Sequence, residues 1–334
     1  MQRNIKIDQI SNENRYLIDY ANINLGLIKY QNSFLGKKEL ELFYKKPELG
    51  FPLILPEKNK CFIHKKNKSK FRVNKNLFRK KIFAVKKKNY KPFLNLFAYG
   101  DSFCTDSVPK GKFNKLIENI NNENKKLKNL VLKLKKSNKI VGAFQTRNIP
   151  HKGHEKIIRL MLKYCSIVIV NPVIGPKKKG DVKPSALKKI YNFLLKKHYN
   201  NKVIYKPVYA NMHYAGPREA IHHALLRENL GFDYFAVGRD HAGAEDAYKF
   251  DEASKMINKF KNKFSINIIT HQGSFFCKTC NKVVIKDECN NSKCVLLNIS
   301  GTEFRQNILN DKNFIYARKD LQNFLRKFKK GLFY

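Results

Sequence analysis

The sequence has no tryptophan, only 16 glycines in 334 residues, and only 26 acidic residues against 68 Lys and Arg. It has no apolar run of 18 residues, so no segment reads as a membrane-spanning helix. The opening stretch, MQRNIKIDQISNENRY, lacks the apolar core of a secretory leader, and a soluble cytoplasmic protein is expected. No fixed-period repeat is evident, which argues against solenoid and propeller architectures. The scarcity of acids leaves a net charge of +42, a balance that often marks a polyanion-binding protein. Here the abundant residues are Lys, Asn, Ile, Phe and Tyr, which share AT-rich codons, so mutational drift is the simpler source. The basic residues are dispersed and RNA-binding signatures are missing, so nucleic acid is not the expected partner.

What is present begins with seven cysteines: Cys61, Cys104, Cys165, Cys277, Cys280, Cys289 and Cys294. The odd number, with four crowded between Cys277 and Cys294, argues against a disulfide framework. Cys277-x-x-Cys280 and Cys289-x₄-Cys294 offer four thiolates, a set suited to tetrahedral Zn²⁺. Such a closed site would be structural, since it leaves no open position for catalysis. The plain alternative is four reduced, unligated thiols.

Three segments can be separated along the chain. Residues 1–135 carry short apolar runs (LGLIKY, FPLILP, KCFIH, KKIFAVK) between Lys, Asn and Pro, and are expected to form a reduced β-rich domain. Within them, Lys65 to Lys91 reads as a solvated basic surface, and residues 114–139 as a helical linker. From Ile140, strand-like and helix-like segments alternate strictly: IVGAF, HKGHEKIIRLMLKYC, SIVIVNPVIG, PSALKKIYNFLLKKHY and so on to FSINIIT. That alternation predicts an α/β domain over 136–272, a doubly wound parallel sheet with helices on both faces. Ligands in such sheets bind beyond the C-terminal strand ends. Residues 273–334 hold the cysteine cluster and end in helices, so a small zinc-binding domain is expected there.

The chemistry concentrates in GAFQTRNIPHKGHEKI, which leaves the first predicted strand and enters the first helix. His151 and His154 are three apart and share a helical face. They stand at a helix N-terminus, where free N–H groups favour anions. Gly153 permits close approach, and Gln145, Arg147 and Asn148 add donors. The alternatives are a capping turn with exposed His and a two-His metal site, and the latter lacks the HExxH order.

QTRNIPHKGH resembles the Q-x-R-N-P-x-H-x-x-H signature of the sulfate adenylyltransferase (ATP sulfurylase) family, within the HxGH nucleotidyltransferases. Ile149 departs from it where the family usually has Pro. NPVIGPKKKGD (171–181), MHYAGPREAIHHALLRENLG (212–231) and VGRDHAG (237–243) resemble further family segments in order and spacing. The resemblance implies a Rossmann-like catalytic domain, a PUA-like N-terminal domain and a homodimer. It implies ATP, sulfate, adenosine 5′-phosphosulfate and diphosphate as ligands, with Mg²⁺ on the nucleotide phosphates. It further implies that Gln145 and Arg147 hold sulfate with the backbone of Ala242, and that Asn148, His151 and His154 meet the ATP phosphates. Gly238, Arg239, Asp240 and His241 would line the nucleotide pocket, and Thr146, Arg147 and Asn148 occupy the family's catalytic positions. NISGTEFR (298–305) is similar to a segment near the family's pocket. No P-loop of an adenylylsulfate kinase occurs, so the 3′-phosphorylated product is not expected. The competing readings are another HxGH-type nucleotidyltransferase and a basic zinc protein that binds nucleic acid.

Overall fold

The computed structural model describes residues 7, 10–11, 14–45, 50–56, 70–98, 101–104, 113–177, 180–238, 241, 247–249, 251–289 and 293–334. The chain opens with helices α1 (Tyr16–Asn24) and α2 (Lys37–Lys45), then strands β1 (Leu55–Pro56) and β2 (Lys70–Arg72). Helix α3 (Lys75–Phe78) runs on as a π-helical turn, Arg79–Phe83, and is followed by α4 (Lys91–Leu96) and β3 (Ser102–Cys104). The three strands form an antiparallel sheet in the order β1-β3-β2.

The β-rich expectation for this segment is corrected among the described residues: they are mostly helical. KKIFAVK, expected as a strand, is part of the α3–π turn. Asn74 caps α3 by accepting the Leu77 N–H (3.0 Å), and Phe78, Ile82 and Phe83 then fall on one buried face. KCFIH lies outside the described residues.

Helix α5 (Asn114–Lys136) is also not a linker. Leu116, Ile120, Asn124, Leu127 and Val131 are buried along one stripe. Asn124 donates to Asn22 Oδ1 (2.8 Å) and Tyr209 O (2.9 Å) and accepts the Tyr209 N–H (2.8 Å), so its buried amide is satisfied.

The chain then builds β4 (Val141–Phe144), α6 (Lys152–Met161), β5 (Ile167–Val170), β6 (Val173–Ile174) and α7 (Pro184–His198). It continues with β7 (Val203–Tyr205), β8 (Val208–Tyr209), α8 (Pro217–Asn229), β9 (Tyr234–Gly238), α9 (Glu252–Phe260) and β10 (Asn267–His271). Five strands pair in parallel in the order β10-β9-β4-β5-β7. Counted within the sheet this is 3-2-1-4-5 read from β7, the doubly wound order. The winding reverses at β4, so the crevice between the ends of β4 and β9 is the place for a ligand. Val141 and Ala143 of β4 face one core, shared with Leu17, Phe51, Phe83 and Val131, whereas Phe144 faces the second core with Ile158, Leu194 and Phe304. Period-two alternation of apolar residues thus packs both faces of the sheet.

Strands β11 (Ser274–Cys277), β12 (Lys282–Ile285) and β13 (Leu296–Asn298) form an antiparallel sheet in the order β12-β11-β13, followed by α10 (Gly301–Leu309) and α11 (Lys319–Arg326). No helix among the described residues is long and apolar enough to cross a membrane.

Candidate active site

A cavity of 310 Å³ opens at the switch point. Its wall comes from Phe144, Gln145, Thr146, Arg147, Asn148, His151, His154 and Ile157 on the β4–α6 side, and from Ala236, Gly238, His241, His271, Gly273 and Ser274 across it. Val173, Lys177, Met212, Tyr214 and Ile299 complete it.

Helix α6 starts at His151, whose extended backbone (φ −128°, ψ 172°) makes it the N-cap. His151 Nδ1 accepts the Gly153 N–H (3.1 Å), and His154 Nδ1 accepts the His151 N–H (3.3 Å). The rings lie 3.9 Å apart between centroids. Burial holds the His151 pKa well below the usual imidazole value, with the charge of His154 acting in the same direction. Burial and then His271 push His154 down to about 4. Both rings are therefore neutral near pH 7. With each Nδ1 accepting, each Nε2 carries the proton and is a donor.

Gly153 is required by close packing. A Cβ there would stand 2.3 Å from Ser274 Oγ and 2.9 Å from the His151 ring. Thr146 Oγ1 accepts the Asn148 N–H (3.2 Å), which turns the chain between strand and helix. Arg147 sits with its guanidinium 5.5 Å from the centre of the Tyr214 ring. Tyr214 has φ of 55°, a conformation bulky side chains rarely adopt. It is held there from both sides. Glu219, near the start of α8, accepts the N–H groups of His213 (2.9 and 3.1 Å) and Ala215 (3.0 Å), and Tyr90 donates to Tyr214 O (2.6 Å). Gln145 Nε2 lies 3.1 Å from His223 Nδ1.

The site helix is also tied to the C-terminal segment. Buried Glu155 accepts Arg318 Nε at 2.9 and 2.8 Å and pairs with its Nη2 at 2.7 Å. Lys156 pairs with Glu288 at 2.7 Å, and the Lys152 N–H donates to Tyr316 O (2.7 Å). Ser300 Oγ accepts the Glu303 N–H (3.2 Å) and caps α10, whose first residue, Gly301, would bring a Cβ within 3.5 Å of the Asn148 amide.

The four thiol sulfurs of Cys277, Cys280, Cys289 and Cys294 lie within 4.8 Å of one another. Neighbouring Sγ–Sγ separations are 3.0, 3.4, 3.7 and 3.9 Å. Four sulfurs about 2.3 Å from one Zn²⁺ would be about 3.8 Å apart, so the donor set fits that ion. The Cys280 N–H donates to Cys277 Sγ (3.3 Å), a bond that favours the thiolate.

Residues 119–327 match the ATP-sulfurylase family. The sulfate adenylyltransferase of Pyrococcus abyssi is 30% identical over 319 residues, covering 87% of this chain and 82% of that protein. The chain belongs to the ATP-sulfurylase family. Sulfate adenylyltransferases of Staphylothermus marinus and Thermococcus onnurineus are 39% and 41% identical over shorter regions, 53% and 51% of this chain. Those matches span about half of each relative, 46% and 45% of its length. A solved structure described as hexameric APS kinase from Thiobacillus denitrificans shares the fold, with a TM-score of 0.62 at 12% identity, over 94% of this chain and 61% of that one.

Of the residues singled out in the family motifs, Gln145, Thr146, Arg147, Asn148, His151, His154, Gly238 and His241 line the one cavity. Arg239, Asp240 and Ala242 lie outside the described residues. Ile149, the departure from the motif, is buried in the second core, so the turn keeps an apolar anchor before Pro150. Motif reading passed over His271, and it quoted Tyr214, Glu219 and His223 within the 212–231 segment without giving them a role. A polar residue ending a predicted strand could have pointed to His271. Nothing local distinguishes Glu219 and His223 from an ordinary helix start, because their role comes from the fold around them.

Proposed function

We propose that the chain is a sulfate adenylyltransferase, which joins sulfate to the α-phosphate of ATP and releases diphosphate, in either direction. The observation that carries the reading is the convergence of Gln145, Arg147, Asn148 and two neutral imidazoles on one cavity at the switch point of the sheet. Both substrates are anions, so mutual repulsion and orientation make up much of the barrier. Arg147, steadied over Tyr214, offers a planar fork to sulfate, with Gln145 beside it. Asn148 and the Nε2–H groups of His151 and His154 donate to the phosphates, where charge develops as the bond to diphosphate breaks. A neutral donor stabilises that charge without competing for it as a base. Sulfate is already ionised and needs no general base, so a sulfate oxygen attacks phosphorus directly, in line.

Among the described residues the cavity wall carries no carboxylate. Mg²⁺ is expected to arrive on the ATP phosphates, where it would neutralise charge. Gly238 and His241, with Arg239 and Asp240, would hold the nucleotide, and the Ala242 backbone would contact sulfate. Zn²⁺ on the four cysteines would be structural. The same reading divides the chain near residues 135 and 272.

Replacing Arg147 with Ala should lower kcat/KM for sulfate by about 10²–10³-fold, the scale for losing one charge-stabilising donor. Diphosphate release that depends on sulfate in the parent chain and is unchanged in Arg147→Ala would remove this residue from the site.

A further inference from the structure

Behind the cavity wall, the side chains of His223 and Glu219 are fully buried, and neither lines the cavity. Glu219 takes three hydrogen bonds from the backbone of His213 and Ala215, and its Oε1 lies 3.1 Å from His223 Nε2. The Gln145 amide nitrogen that faces Nδ1 can only donate, so Nδ1 accepts and the ring proton sits on Nε2. Burial holds the His223 pKa well below the usual value, which leaves the ring one proton in all. Nδ1 is then a bare acceptor. It lies 3.1 Å from Gln145 Nε2 and 2.9 Å from His241 Nε2, two groups of the cavity wall.

A carboxamide has two ends of nearly equal size and opposite character. An acceptor beside Gln145 attracts its N–H₂ end and repels its oxygen. Gln145 Oε1 is buried without a hydrogen-bond partner among the described residues, so none of these sets the sense of the amide from that end.

We propose that His223 is a positioning residue: with its proton on Nε2, it fixes the amide nitrogen of Gln145 in place, so that the second N–H of that group meets the oxyanion. This rests on the sulfate-handling role proposed for Gln145. Without the acceptor, the amide turns freely and presents oxygen to an anion for part of the time. The loss through Gln145 falls on sulfate, while the contact to His241 links the same ring to the nucleotide side.

The test measures KM for sulfate and for ATP in His223→Gln and His223→Asn, each with Gln145 intact and with Gln145→Ala. His223→Gln keeps a group at the Nε2 position and empties the Nδ1 position. It should raise the sulfate KM about tenfold, the scale for one lost hydrogen bond, with a clearly smaller rise in the ATP KM through His241. His223→Asn puts an amide oxygen near the Nδ1 position and should stay within about threefold of the parent. With Gln145→Ala, His223→Gln should add nothing to the sulfate KM, because that effect runs through the missing amide. Should His223→Gln not fold, His223→Met, which also lacks an acceptor at the Nδ1 position, should show the same larger loss on sulfate. Equal rises in both KM values, or effects that add to that of Gln145→Ala, would overturn the proposal and leave His223 a packing residue. A parent chain with no sulfate dependence would overturn the role of Gln145 itself, and the two failures are distinct.

Discussion

Gly153 shows how one missing Cβ sets the chemistry of the cavity. It lets the Ser274 hydroxyl and the His151 ring pack on the first turn of α6, and its N–H fixes the His151 tautomer. Gly153→Ala would push a Cβ to within 2.3 Å of Ser274 Oγ and 2.9 Å of the imidazole. The helix should still form, since Ala favours it, at a net cost of about 1–3 kcal/mol from overpacking. The His151 ring must move, so activity should fall by far more than stability. Thermal unfolding and kcat measured on the same sample check this, and a fully active Gly153→Ala would show that the ring position is not critical. The Q-T-R-N…H-x-x-H residues were legible in the sequence because strand, turn and helix place them within ten positions of one another. Glu219 and His223 stood in a recognised segment, but their roles were not legible, because the partners that give them meaning lie on other elements.

At the scale of elements, the cysteine sheet is a brace for α6. Strand β11 brings Ser274 against Gly153, and the loop after β12 brings Glu288 to Lys156 at 2.7 Å. The cavity wall includes Gly273 and Ser274, four and three residues before Cys277 in the chain. Removing zinc with a chelator, or changing Cys289 to Ser, should therefore lower activity while the parallel sheet stays folded. Metal analysis, far-UV circular dichroism and turnover on one preparation test it, and unchanged turnover in a zinc-free sample would contradict it. The spacing of the four cysteines alone announced this cluster. The parallel sheet was equally readable, since buried strands of β-branched residues alternate with amphipathic helices. The first hundred residues misled for a physical reason. Their short apolar runs fit either period, and caps such as Asn74, with aromatic packing against the sheet, decided for helix.

The whole molecule buries an unusual number of neutral imidazoles. His151, His154, His213, His222, His223 and His241 all have pKa values held below the usual 6.5, chiefly by burial. The unfolded chain binds protons at these rings below pH 6.5, whereas the native state does not until about 4 for His154 and about 3 for His222. Stability is thus lost as pH falls from 6.5 toward 4. Asp19, raised by burial to about 7, acts with the opposite sign, but it is one group against six. The thermal midpoint should drop steadily across that window, and a flat profile would mean the rings are solvated. The central claim is tested most directly by diphosphate release from ATP and Mg²⁺, with and without sulfate, for the parent chain and for His154→Ala. Release that needs sulfate and collapses in the variant is the predicted result. A folded, zinc-replete chain that releases diphosphate equally without sulfate, or not at all, would contradict it.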